Sequence, residues 1–178
     1  MANNIKTNPK GLDVVIQNMQ NLLYNKLTAL WNVDLSGYGR CYPSFNQEQN
    51  RKEIEFYNGA NEYKDVLYAE ENKFFFTAEN EIERVGNSQF KTKIELFFIV
   101  NVSEIYPNVT HRADEEVRVD VINILEQSSF ATISSIVIDI DKVFSKYEYV
   151  ISDDLQPYHC FKIILDTLDY NINNQICN

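Results

Sequence analysis

The chain has 178 residues, 44% hydrophobic and 13% aromatic, with 5 Gly and 4 Pro, a composition that excludes a disordered tract and suits one folded domain. Its formal net charge of −10 comes with no cluster of Lys and Arg, which argues against a broad DNA-binding or anionic-membrane surface. The same charge opposes self-association in free solution, so a homo-oligomer of this chain needs apolar contacts.

Cys41, Cys160 and Cys177 form no CxxC pair, and an odd, unpatterned set reads as buried or incidental thiols of a reducing compartment. The opening Met1-Ala2-Asn3-Asn4-Ile5-Lys6 has no apolar core of a signal peptide. No apolar run approaches the roughly 18 residues of a membrane-spanning helix. The expectation is a soluble protein made in the cytoplasm.

Residues 1–10 are polar, contain Pro9, and read as a flexible N-terminal arm; residues 11–178 read as a single α+β domain. Leu12, Val15, Ile16, Met19, Leu22, Leu23, Leu27 and Leu30 recur at three- and four-residue steps, which predicts an amphipathic helix ending near Trp31. Residues 34–50, with Gly37, Gly39 and Pro43, read as loop around a short extended piece at Arg40–Tyr42. Alternation then predicts a strand at Lys52–Tyr57, a hairpin turn at Asn58-Gly59, and strands at Val66–Ala69 and Lys73–Ala78, the last two parted by a turn at Glu70-Glu71-Asn72.

The clearest strand spans 91–103. Ile94, Leu96, Phe98, Val100 and Val102 share one face, Lys93, Glu95, Phe97, Ile99 and Asn101 share the other, and Pro107 ends it. A second helix follows, capped by Thr110, with Asp114 and Glu115 in its first turn and a core stripe of Ala113, Val117, Val121, Ile124 and Leu125. Next come a strand at Ser135–Asp141 with Ile136, Ile138 and Ile140 inward, a short helix including Lys142–Lys146, and a last strand at Tyr158–Tyr170. This order lacks regular βαβ alternation. It predicts a mostly antiparallel twisted sheet with two main helices packed on one face.

No segment has the residue pattern of a catalytic centre, and neither an enzyme nor a cofactor is expected. His111 and His159 have no local partner at metal-ligand spacing. Cys160 and His159 are adjacent in a strand and point to opposite faces, so they make a poor nucleophile and base; His111 approaching Cys160 in space is the alternative. Asp139 and Asp141, two apart in a predicted strand, share a face and would suit a divalent cation in a hydrolase; the bland reading is a solvated sheet face. Apolar residues also stand on both faces of the predicted strands, notably Phe75, Phe97, Ile99, Ile164 and Leu168. Either helices cover both faces, or a neighbouring subunit buries part of the second face.

The long leading helix, Arg40-Cys41-Tyr42-Pro43, the strands with Lys73-Phe74-Phe75-Phe76 and Lys93–Val102, the helix at 112–127 and the closing strand after Asp153-Asp154-Leu155-Gln156-Pro157 together resemble tail-terminator, tail-completion and neck-ring proteins of tailed phages. The richness in Asn, Ile, Tyr and Lys resembles the products of AT-rich phage genomes such as those of crAss-like phages. The resemblance implies a virion protein that forms an oligomeric ring on the tail axis, contacts neighbouring neck or tail proteins and catalyses nothing. Phe75, Phe97, Ile99, Ile164 and Leu168 would then lie at subunit contacts. Neither specific nucleic-acid binding nor membrane association is expected, and an acidic lumen would let DNA pass without sticking. The competing classes are a small cytosolic immunity-type protein that neutralises a basic partner, and a metal-dependent hydrolase using Asp139 and Asp141.

Overall fold

The computed structural model describes residues 2–68, 71–79, 81–146 and 157–171. Residues 153–156, Ala69, Glu70 and Cys177, on which some of the expectations above rest, lie outside them.

The segment expected to be a free arm instead begins with a strand, β1 (Ala2–Asn4). The chain then turns through Asn8, Pro9 and Gly11 into helix α1 (Leu12–Trp31). Leu12, Ile16, Met19, Leu23, Leu27 and Trp31 form its buried stripe. The helix ends at Asn32, whose left-handed backbone, φ 52°, lets its amide donate to Thr28 O. Leu30 falls off the stripe and is exposed.

Two strands occupy most of the expected loop at 34–50: β2 (Ser36–Arg40) and β3 (Tyr42–Asn46). Their glycine and proline serve packing and edge position. A Cβ on Gly37 would stand 2.8 Å from the Phe74 ring, so glycine there is a close-approach residue within a strand. Pro43 lies in β3, which pairs only with β4 (Arg51–Gly59) among the described residues, and an edge tolerates a missing donor. The hairpin partner of β4 is β5 (Glu62–Asp65), not 66–69. Its turn is Ala60-Asn61, both left-handed at φ 52° and 63°, two residues after the expected Asn58-Gly59. Val66 and Leu67 are buried but lie outside any strand.

β6 (Lys73–Ala78) forms as expected. A small hairpin of β7 (Glu83–Arg84) and β8 (Gln89–Lys91) leads into β9 (Lys93–Asn101). Asn101 ends β9 before Pro107 is reached: its side chain accepts from the amides of Ser103 and Glu104 and caps the short helix α2 (Val102–Ile105). In α3 (Asp114–Glu126) the N-cap position is Ala113, without a side-chain cap, instead of Thr110; Val117, Val121 and Leu125 are buried as expected.

The expected strand 135–141 is corrected to β10 (Ala131–Val137), with an irregularity between Ile133 and Ser135. The shift turns Ile136 and Ile138 outward, to 37% and 56% exposure, and only Ile140 packs inward. Asp139 caps α4 (Ile140–Val143), so Asp139 and Asp141 share no strand face. The last strand divides into β11 (Tyr158–Thr167) and β12 (Tyr170–Asn171), the latter pairing with β8.

The central sheet runs β1-β2-β6-β9-β11-β10, parallel across its first three strands and antiparallel across the rest. The fold is α+β with a mostly antiparallel sheet, and α1 and α3 pack on one face over Phe74, Phe76, Leu96, Phe98, Phe161 and Ile163. The opposite face is also covered. The sheet β3-β4-β5 presses Ile54 and Phe56 onto it, joined by Val66, Leu67, Val143 and Phe144.

Candidate assembly interface

The expectation that Phe75, Phe97 and Ile99 meet another subunit is corrected. Phe75 and Phe97 are 0% exposed and Ile99 is 6% exposed, and all three belong to the core beneath β3-β4-β5. The two long helices, α1 and α3, are enough to cover one face only. The third layer is instead a sheet, whose Ile54 and Phe56 come from the strand expected at Lys52–Tyr57 and whose β3 comes from the segment read as loop.

Ile164 is half-buried, with Ser135 on one side and Glu95 on the other. Leu168 is 49% exposed just past the end of β11, where its amide bonds Phe130 O at 3.3 Å. These two lie toward the β10 end of the sheet. Open backbone is found there as well. Among the described residues β10 pairs only with β11, so one side of its ladder faces outward beside exposed Ile136, Ile138 and Leu168. An unpaired edge flanked by apolar side chains is a template for another strand.

The opposite end of the sheet is unlike it. Among the described residues β1 pairs only with β2, and exposed Ile5 follows it. Residues 1–10 carry Lys6 and Lys10 and no acid, whereas residues 131–141 carry Asp139 and Asp141 and no base. Lys6 pairs with Asp13, and Asp139 with Lys142. A cleft of about 590 Å³ opens between residues 3–7 and Phe56–Gly59, alongside β1.

Two ionised groupings fix the sheet behind the β10 edge. Glu95 is buried and accepts from Lys162 at 3.0 Å and from Lys146 at 3.1 Å. Burial alone would raise its carboxyl pKa; the two ammonium groups outweigh that and hold it below the usual range. On the helical face, His159 stacks on Phe161 and meets Arg118 at 3.0 Å and Asp114 at 3.4 Å. Burial pushes its pKa down to about 4, with Asp114 opposing and Arg118 and Arg112 adding to the shift.

The residues weighed for chemistry are dispersed. His111 bonds Glu116 at 2.5 Å on the surface, and Cys160 lies in the core on the far side of the sheet. Burial pushes the Cys160 thiol up to about 12, so it holds its proton at neutral pH. Asp139 pairs with Lys142 at 3.0 Å besides capping α4. Among the described residues no group of three His, Cys, Asp or Glu side chains is placed to hold a metal ion, and no helix is long and apolar enough to cross a membrane.

No protein-family model matches this sequence, and no curated protein matches it.

Proposed function

We propose that the chain is a structural subunit of an oligomeric ring at the neck or tail of a tailed phage, joining head to tail or terminating the tail tube. It is made in the host cytoplasm and carried in the virion, and it works by binding copies of itself and the neck or tail proteins on either side. The observation that supports this reading is the pair of unlike open edges, β1 and β10, at opposite ends of one sheet. Contact between unlike patches is head-to-tail, and head-to-tail contacts generate a closed ring when the rotation per subunit closes. Exposed Ile136, Ile138 and Leu168 supply the apolar contact needed to overcome the −10 charge. The same acidity suits a ring around DNA, since like charge repels phosphate.

Light scattering after size exclusion, at moderate and high salt, with electron microscopy of the peak fractions, tests this. The expected result is a closed ring, or a monomer that becomes one as salt screens the charge. Replacing Ile136 and Ile138 together by Lys leaves a folded monomer. A wild-type chain that is monomeric under every condition overturns the ring and favours the immunity-type binding protein; a double variant that still forms rings overturns the β10 edge.

A further inference from the structure

The seating of β1 differs from that of β2, β6, β9 and β11, which all bury side chains in the core. It places no side chain fully inside the core: Ala2 is exposed, Asn3 and Asn4 are half-buried, and Ile5 just beyond is 54% exposed. Side-chain amides of α1 hold it instead. Gln20, 1% exposed, directs Nε2 at Asn3 Oδ1, Asn4 O and Gly37 O at 2.8, 2.9 and 3.1 Å. Asn3 Nδ2 donates to Asn21 Oδ1 at 2.8 Å, and the Lys6 amide donates to Gln17 Oε1 at 2.9 Å. The contacts are specific and nearly all polar. A strand held this way takes little hydrophobic surface of its own out of water, and its socket is a set of polar partners that an identical strand would satisfy.

The hinge that folds β1 back onto β2 is unfavourable. Asn8 has φ 57° although it precedes Pro9, a position that favours extended backbone. Gly11 has φ 56° and ψ −126°, a conformation that side chains disfavour. Gly11 has no Cβ and takes that conformation without strain, so extending residues 7–11 relieves Asn8 alone and carries β1 away from its own sheet. Short hinges under strain favour exchange of an identical element between copies.

We infer that β1 is an exchangeable strand: in the assembled protein it leaves its own β2 and takes the same place, against β2 and Gln20, on a second copy of the chain. The occupant of the socket is thus residues 2–6 of a neighbour, making bonds identical to those described. The inference rests on the ring reading only in that the ring supplies the neighbour.

Ala2 lies opposite Ser36 in the β1–β2 register, within reach of a disulfide. The full-length chain is made as two variants, Ala2→Cys and Ser36→Cys, each with Cys177→Ser. They are mixed, assembled and oxidised, and the mass of the same sample is read by light scattering. Exchange gives a band of two linked chains in the mixture that is absent when either variant is oxidised alone. Assembled protein without that band overturns the exchange and leaves the ring standing; a monomer at every salt without it overturns both. A second measurement needs no cysteine. Inserting four Gly-Ser residues between Thr7 and Asn8 relaxes the hinge, so exchange predicts a shift toward monomer, and assembly unchanged by the insertion overturns it.

Discussion

Phe75 lies flat on Phe97, ring centroids 4.9 Å apart and planes 9° from parallel, and neither side chain reaches solvent. The stack continues to Phe144 at 6.0 Å, and the Lys162 ammonium stands 5.5 Å from the centre of the Phe97 ring. Phe97 is therefore a keystone of the subunit. Phe97→Ala should cost about 3–5 kcal/mol of folding free energy, and Phe97→Asp should unfold the chain by burying a bare charge. Urea unfolding checks both; a Phe97→Asp protein with native near-ultraviolet dichroism would restore Phe97 to the surface.

The His159 contacts fix its tautomer. Arg118 can only donate, so Nε2 accepts and the ring proton sits on Nδ1, facing Asp114. With its folded pKa lowered to about 4, the unfolded chain takes up the proton first as pH falls. The stability that His159 contributes above its ordinary value near 6.5 is then lost between there and pH 4, roughly 3 kcal/mol in all. His159→Gln should flatten that part of the stability curve. Equal slopes for both proteins between pH 6.5 and 4 would contradict the assignment.

Glu95 and Lys162 are a buried pair, each about 5% exposed. Lys162→Met removes one of the two ammonium groups from a buried carboxylate and should cost roughly 3–5 kcal/mol, whereas pairing it with Glu95→Leu should recover most of the loss. The lowered carboxyl pKa makes this a high-pH contribution: it is complete above the usual carboxylate range and disappears as pH falls through the folded value. A double-mutant cycle by thermal melting at pH 7 and pH 4 measures it. Strict additivity of the two substitutions would rule out the coupling.

Ala60 and Asn61 take the two left-handed positions of the β4–β5 turn. Alanine is strained there, while Asn-Gly is the favoured pair for this turn. Ala60→Asn with Asn61→Gly should stabilise by about 1 kcal/mol, or a few degrees in melting temperature. A lower melting temperature would show that the turn is shaped by other contacts.

Periodicity made much of the fold legible. α1, α3, β6 and the two faces of β9 follow from apolar spacing alone, because each buries a complete stripe or face. Of the layer that closes the second face, β4 was legible from alternation and β3 was not, nor was β2 of the central sheet. Gly37 stands where Phe74 leaves no room for a Cβ, and Pro43 stands on an edge; only the tertiary partner distinguishes these uses from a turn. The β10 edge was missed by a frame error. Taking Ile136, Ile138 and Ile140 as one inward face ignored the irregularity after Ile133, which reverses the outward side. The β-branched run beginning at Thr132 was the available signal for the earlier start.

β9 lies between β6 and β11, with α1 and α3 over one face and β3-β4-β5 over the other. Its amides are cut off from solvent in every direction, so their exchange with deuterium requires the whole subunit to open. The outward amides of β10 have no such shelter in a lone subunit. Deuterium uptake along this chain is thus a built-in comparison: β9 reports the integrity of each copy, and in the proposed ring the loss of uptake at β10 would count how many copies have found a neighbour.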